Sequence, residues 1–523
     1  MDILRLNIDQ TKTDAPSESE TRFHIALLAS LASVVVSLAA RFVLEAPLIP
    51  EMMAQLVFAA APVWVVEVVI ALLGPFAKHL GFLGCLTLYG IGLIAATAAF
   101  LRYVKPDASI GGQALIAALS LTLWILSVTV VVSLLGGGIL GSGLRQGIPL
   151  TIFSSLAAFV AYGVVLSLAQ TVYTAAPDRR AKTSVVSRRR VIRGVWYMVV
   201  AVGAWDVGRQ LLGSWFFAGG GRVSRGDGVF PNIDNLALEV TPNADFYQVS
   251  KNAFDPQVDP RSWRLSVSGL VENPLDLTYD ELREMPFVDQ YATLACISNQ
   301  VGGDLIGTAL WRGVRLKDIL NRSGLKPGVV DLVLRARDDY SDSVPLDRAM
   351  AEGTLLVYEM NGEPLTPEHG SPLRLLVPGI YGMKNVKWIT SIEAVGFDFK
   401  GYWQRRGWDD RAEYKTMSRI DAPDSQVNSE TSIAGIAFAG DRGISKVEVS
   451  SDGGATWDAA EIKPSLSAYT WVLWHKRWSP GRPGKHKLLV RATDGRGETQ
   501  TPQYAPPAPS GSSGYDSEVV STA

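Results

Sequence analysis

Chemistry in this 523-residue chain has to come from a few side chains in unusual settings. Cys296 is one of only two cysteines; the other, Cys85, lies in an apolar stretch and reads as a small packing residue. Cys296 belongs to Tyr291-Ala-Thr-Leu-Ala-Cys296-Ile-Ser-Asn299-Gln-Val-Gly-Gly-Asp304. There the apolar run 292–295 reads as a strand that delivers the thiol to a turn, and Gly302 and Gly303 let the backbone approach something closely. A thiolate so placed can hold a soft metal or act as a nucleophile. Taken alone, a single cysteine is more often an inert core thiol. With two cysteines there is no disulfide framework and no CxxC metal site. A second candidate is His369-Gly-Ser-Pro-Leu-Arg374-Leu-Leu-Val-Pro-Gly379-Ile-Tyr-Gly382-Met-Lys384-Asn385-Val386-Lys387-Trp388. A strand over 373–377 enters a loop whose glycine amides, with Lys384 and Lys387, suit a phosphate; a solvated basic loop is the bland alternative.

The elements that must position these groups are mixed. Residues 263–269 alternate as a strand, and Thr278-Tyr-Asp-Glu281 has capping-box spacing for a short helix ending before Pro286. Residues 311–320 read as a turn and helix, and 332–336 as a strand leading into the Asp338-Asp-Tyr340-Ser loop. Strands and helices interrupt one another, so an α+β domain is expected over 219–425. From 426 to 500 short alternating strands at 446–450, 470–478 and 487–493, with turn residues between, predict an immunoglobulin-like β-sandwich. Residues 501–523, rich in Pro, Ser and Gly, are expected to be a disordered tail.

The overall composition, 47% hydrophobic with a net charge of −2, hides a split. Near-balanced charge offers no basic footprint for nucleic acid. After a polar tail over 1–22, expected to be disordered, six apolar stretches (about 24–44, 54–76, 81–101, 113–136, 149–173 and 194–217) predict a transmembrane helical domain over 23–218. Gly136-Gly-Gly138 and Gly141 blur the fourth. The basic loop 178–193 belongs on the cytoplasmic side, which puts the globular part, and thus the catalytic domain, outside the cytoplasm of a multi-pass cell-membrane protein. Ser187-Arg-Arg-Arg190-Val-Ile192 also resembles a twin-arginine export signal; fixing topology is an equal alternative. His24 and His79, both near span ends, are not expected to hold a haem. Glu67, in mid-span, can serve a quinone, a proton or packing.

Together these segments resemble the sulfite oxidase family of molybdopterin enzymes from about 235 to 500. The shared order is the cysteine turn, the Tyr340 loop, the 369–388 segment, Trp403-Gln-Arg-Arg406 and the sandwich. The resemblance implies Mo-molybdopterin as cofactor, with Cys296 as the molybdenum ligand and catalytic together with Tyr340, whose hydroxyl can hydrogen-bond a substrate oxygen. It implies cofactor binding by Asn299, His369, Arg374, Lys384, Asn385, Val386 and Lys387, and, on a weaker match, Asp245, Tyr247 and Gln248. Gln300 and Val301 stand where sulfite oxidases usually carry arginines. Losing such donors costs roughly 1.5–3 kcal/mol per hydrogen bond to a charged group, unless Arg312, Arg405 or Arg406 substitutes.

The expected function is two-electron oxygen-atom transfer on a small oxo-compound by a membrane-anchored, extracytoplasmic enzyme. Electrons would pass to an external carrier or the quinone pool, lipid would surround the helices, and the sandwich could pair two copies. Two alternatives stand beside it: sulfoxide reduction, as in methionine-sulfoxide reductases, and a cofactor-free surface binding protein on the same scaffold.

Overall fold

The computed structural model describes residues 18–522 except 63–64, 66–68, 70–75, 108, 145, 175–229, 231, 253, 424–425 and 428–429. The chain separates into two compact units, one within residues 1–212 and the other made chiefly of 213–523, with 61–77 added to it.

The first unit is helical. Among the described residues, four helices are long and apolar enough to cross a membrane: Glu18–Leu44, Lys78–Tyr103, Ile110–Gly137 and Gly147–Val172. Four of the six expected spans are thus matched among the described residues. The second stretch yields only the 12-residue helix Ile49–Ala60 before the described residues break off, and the sixth lies outside them, as do Glu67 and the basic loop. The helix expected to start at 24 begins at Glu18, where Glu18 and Glu20 favour the positive end of the helix dipole. The fourth stretch ends as its glycines suggest, with Gly136 at φ 86 and Gly138 at φ 69, conformations that side-chain-bearing residues avoid. Ile25, Ala29, Leu93, Ile116, Tyr162 and Leu166 form the interior of this unit. Its outward face stays apolar, with Leu134 74% and Val172 72% exposed, as a lipid-facing surface would be.

The second unit begins with two five-stranded sheets. The first runs Leu275–Thr278, Arg264–Gly269, Ile389–Val395, Asp331–Ala336, Ser341–Pro345. The other runs Val288–Ala295, Ile306–Arg315, Leu355–Met360, Glu363–Pro364, with Arg374–Leu376 pairing to Leu355–Met360. The capping box forms as expected, Thr278 and Glu281 bonding reciprocally at the start of Tyr279–Glu284. Residues 311–315 belong to a strand rather than a turn, because Trp311 is fully buried in the sheet; the helix is Leu316–Ser323.

Two further sheets form a sandwich. One orders Met417–Ala422, Thr431–Phe438, Val472–Trp478, Glu461–Ile462; its partner orders Gln426–Val427, Asp516–Thr522, Gly484–Asp494, Ile444–Ser450, Asp458–Ala459. They bury Ile433 and Trp474 from one face against Val447, Leu488, Val490 and Val520 from the other. Two expected boundaries move. Met417–Ala422 pairs with Thr431–Phe438, so the sandwich starts before 426. The tail is not disordered: Asp516–Thr522 pairs along its length with Gly484–Asp494 and contributes Val520 to the core.

Candidate active site

Cys296 sits at the end of a hairpin in continuous register from Val288↔Gly313 to Ala295↔Ile306. The strand is pinned inside by Ala292 and Leu294, and the Trp311 indole Nε1 donates to the Ala292 carbonyl at 3.0 Å. Beyond Ala295 the chain turns under its own hydrogen bonds: Cys296 N donates to Leu305 O at 2.9 Å and Asn299 N to Cys296 O at 3.0 Å. Asn299 therefore braces the turn, its Oδ1 accepting from Leu305 N at 2.9 Å. The close approach that requires Gly303 is to this side chain, since a Cβ there would lie 2.4 Å from Asn299 Oδ1. Residues from the sandwich half of the chain hold the turn from outside: Ser512 Oγ donates to Asn299 O at 2.8 Å, and Arg419 Nη1, from the strand Met417–Ala422, to Gly303 O at 3.0 Å. The Cys296 thiol is buried, 2.9 Å from Ser298 Oγ. Burial pushes its pKa up, opposed chiefly by the Ser298 hydrogen bond.

The thiol opens into a solvent-connected cleft with about 1000 Å³ of empty space. Tyr247, Cys296, Tyr340, His369, Arg374, Asn385, Val386 and Lys387 line it, so eight of the twelve expected site residues converge here. His369 is neutral: burial lowers its pKa to about 4. Its Nε2 lies 3.0 Å from the Asn243 carbonyl, which can only accept, so Nε2 carries the proton. Arg374 donates to the carbonyls of His369 (3.2 Å) and Asn385 (3.4 Å) and lies 5.2 Å over the Trp311 ring. Its Nε is buried without a hydrogen-bond partner, and among the described residues no carboxylate pairs with it. Burial lowers its pKa to about 10. A buried guanidinium with no counter-charge is costly unless an anion completes it. Lys387 Nζ donates to Glu368 O at 2.8 Å beside the Trp388 ring.

The remaining expected residues stand elsewhere. Asp245 and Gln248 are exposed and do not line the cleft, because the irregular 243–252 segment turns only Phe246, Tyr247 and Val249 to Lys251 inward. Lys384 is 1% exposed and turned to Asp342 Oδ1 at 3.0 Å and Ser343 O at 2.9 Å, not to the cleft. Asn385 faces the cleft, yet its amide is spent on the loop, accepting from Val377 N at 2.6 Å and donating to Tyr381 O at 3.1 Å. None of the candidate replacement arginines reaches the cleft. Arg312 pairs with Asp289 at 2.7 Å, Arg405 donates to Lys400 O at 2.6 Å, and Arg406 lies 3.5 Å over the Tyr402 ring.

Sequence reasoning missed Lys251, Asp338, Met383, Trp403 and Trp408 as cleft residues. Lys251 Nζ donates to Asp338 O at 2.6 Å and Asn252 Nδ2 to Asp338 Oδ2 at 2.8 Å, tying the 243–252 segment to the Tyr340 loop. The polar-aromatic run 243–251 and the tryptophan of Trp403-Gln-Arg-Arg406 were the available signals.

These donors suit a cofactor that brings most of its own metal ligands. Among the described residues, no group of three or more His, Cys, Asp or Glu side chains could hold a metal ion. One thiol and one uncompensated guanidinium in a common cleft instead match a metal held mainly by cofactor sulfurs and an anionic cofactor tail.

The family model described as "Oxidoreductase molybdopterin binding domain" matches residues 252–403, and "Mo-co oxidoreductase dimerisation domain" matches residues 414–505. Mitochondrial sulfite oxidase of Mus musculus is 31% identical over 320 residues, covering 51% of this chain and 58% of the mouse protein. This chain thus spans little more than half the length of that relative. Sulfite oxidase of Arabidopsis thaliana is 31% identical over 282 residues, covering 43% of this chain and 71% of the plant protein. The sulfane dehydrogenase SoxCD of Paracoccus pantotrophus matches at 26% identity with a TM-score of 0.46, covering 51% of this chain and 77% of that one. The matched segments contain Cys296, Tyr340, His369, Arg374 and Lys387. The chain belongs to the sulfite oxidase family of molybdopterin oxidoreductases, and Mo-molybdopterin is its cofactor.

Proposed function

We propose that this protein is a membrane-anchored oxidoreductase that moves an oxygen atom and two electrons to or from a small oxo-compound outside the cytoplasm. The observation that carries the proposal is the meeting of the Cys296 thiol and the unpaired Arg374 guanidinium in one cleft. When bound, the cofactor supplies the metal that exchanges oxygen and electrons with substrate. Cys296 ligates that metal as a thiolate. Arg374 and Lys387 neutralise the anionic tail, and neutral His369, held by Asn243, fixes the wall beside them. Tyr340 lines the same cleft, its hydroxyl held by Asp342 and the Met383 carbonyl, while Trp403, Trp408 and Met383 exclude water.

The four long apolar helices support an anchor in lipid, and the basic loop 178–193 supports an extracytoplasmic site. Electrons then leave to, or arrive from, an external carrier or the quinone pool. The sandwich, read as immunoglobulin-like, is a candidate homodimer contact, in keeping with the family description of residues 414–505.

A second reading, reduction of sulfoxides, is favoured by one feature of the cleft. Among the described residues its only arginine is Arg374, on the cofactor side, and Lys251 near Tyr340 is already engaged with the Asp338 carbonyl. A doubly charged oxyanion would meet no arginine fork there. Purified protein assayed with sulfite and an artificial acceptor, and with a sulfoxide and an artificial donor, separates the directions. Turnover of neither by molybdenum-loaded protein contradicts the proposal.

A further inference from the structure

Behind the cleft, Asp342 and Lys384 form an ion pair that neither the thiol nor the cofactor anchors use. Asp342 is fully buried and Lys384 is 1% exposed. Asp342 Oδ1 accepts from Lys384 Nζ at 3.0 Å, Gln404 Nε2 at 3.0 Å and Ser343 N at 2.8 Å. Its other oxygen, Oδ2, lies 2.9 Å from the Tyr340 hydroxyl. That hydroxyl also lies 2.8 Å from the Met383 carbonyl oxygen. One O–H can give a full-strength bond to only one of them. With Asp342 ionised, Tyr340 donates to it and Met383 O goes without. With a proton on Oδ2, Asp342 donates to Tyr340, which turns its own hydrogen to Met383 O. The two contacts therefore describe two orientations of the hydroxyl hydrogen, set by whether Oδ2 carries a second proton.

The pair also has a way out. Lys384 Nζ is 3.8 Å from Asp410 Oδ1, and the Asp410 side chain is 39% exposed. Asp410 Oδ1 is buried with no hydrogen-bond partner, while Oδ2 accepts from the exposed Lys400 at 2.7 Å. Asp410 thus presents one oxygen inward and one outward. Moving a proton from Lys384 to Asp342 converts an ion pair into a neutral pair, so that step leaves the buried net charge unchanged and spares the cost of stranding a lone charge.

We propose that Tyr340, Asp342, Lys384 and Asp410 form a proton relay between the cleft and solvent. Oxygen-atom transfer needs one in either direction: adding water-derived oxygen to substrate releases two electrons and two protons, and removing oxygen as water consumes them. In the consuming direction Tyr340 gives its hydrogen to the cleft and takes one from Asp342; Lys384 refills Asp342, and Asp410 refills Lys384. Burial raises the pKa of Asp342 against the opposing pull of Lys384, and it raises that of Tyr340 well above the usual value, so both hold protons readily. The groups facing the relay are Gln404, Ser343, Asp338 (Oδ1 3.1 Å from Tyr340 N), Lys400 at the Asp410 end, and Tyr402, whose ring lies 5.8 Å from that of Tyr340. Asp342, Lys384 and Asp410 act through Tyr340 and touch no substrate.

The relay rests on the oxygen-transfer reading above, and its test separates the two. Molybdenum-loaded full-length protein is compared with Asp342→Asn, Asp410→Asn and the control Asp398→Asn, which removes another carboxylate on Lys400 that does not reach Lys384. Asp342→Asn should lower kcat by roughly 10²-fold with KM and molybdenum content unchanged. Asp410→Asn should lower kcat less and enlarge the solvent deuterium isotope effect, and Asp398→Asn should do neither. If Asp410→Asn matches Asp398→Asn in both readouts, the relay is wrong, and this surface variant decides even if Asp342→Asn fails to fold. Infrared difference spectra need no turnover. A deuterium-sensitive carboxylic-acid band titrating above the ordinary aspartate range should vanish in Asp342→Asn, and its absence from the wild type overturns the relay. A wild type that turns over no oxo-compound yet shows this band overturns the function and leaves the relay standing.

Discussion

The guanidinium of Arg374 lies 5.2 Å above the ring of Trp311, and the indole nitrogen of Trp311 is tied to the strand that ends at Cys296. One buried tryptophan thus fixes the distance between the anion-binding end of the cleft and its thiol. The buried Nε of Arg374, without a partner, marks the place the cofactor's anionic end would complete.

Arg374→Met should separate cofactor binding from folding. Each charge-assisted hydrogen bond lost is worth roughly 1.5–3 kcal/mol, or about tenfold to a hundredfold in affinity. Molybdenum per chain should fall, while the cofactor-free protein should melt higher, because an uncompensated buried cation has gone. Equal molybdenum content in variant and wild type contradicts this role.

His369 makes stability depend on pH in a defined window. Its pKa falls from 6.5 unfolded to about 4 folded, so between these values the unfolded chain binds a proton that the folded chain does not. Stability is complete above 6.5, declines as pH falls, and by pH 4 has lost a contribution of about 3 kcal/mol. Urea titrations of cofactor-free protein at several pH values should show that slope, and His369→Gln should flatten it.

Deleting residues 501–523 should destabilise the sandwich. The deletion removes the strand Asp516–Thr522, the buried Val520 and the Ser512 bond to Asn299. Val520 alone represents about 1.5–3 kcal/mol of burial, and each kcal/mol shifts the melting of a domain of roughly 100 residues by about 4–8 °C. A melting temperature unchanged by the deletion would restore the disordered-tail expectation. Loaded protein should also show altered metal spectra, since the turn carrying Cys296 loses an outer support.

What could be read from the sequence was what depends on local spacing. The Cys296 turn, the strand leading to Gly379 and the capping box at Thr278 are short-range patterns, and each formed. Lys384 and Lys387 were not separable, because both lie in one basic loop. Only the fold shows that the 3-10 turn Gly382–Lys384 sends Lys384 to Asp342 behind the cleft while Lys387 stays in it. The last strand was hidden by composition: Pro, Ser and Gly before it suggested disorder, and only Val520 of Asp516–Thr522 is a fully buried apolar residue. The arginines near Trp403 looked like substrate ligands, yet long-range partners, a carbonyl for Arg405 and an aromatic ring for Arg406, hold them elsewhere.

The most direct test is sulfur-ligand analysis by X-ray absorption, with metal content, on the full-length protein and Cys296→Ser produced in a cofactor-competent host. The wild type should hold about one molybdenum per chain with one more sulfur ligand than the variant, as a protein thiolate beside the cofactor's own sulfurs requires. Turnover of oxo-compounds should be lost in the variant. A Cys296→Ser protein with the wild-type number of sulfur ligands and unchanged turnover would contradict the assignment of Cys296 to the metal.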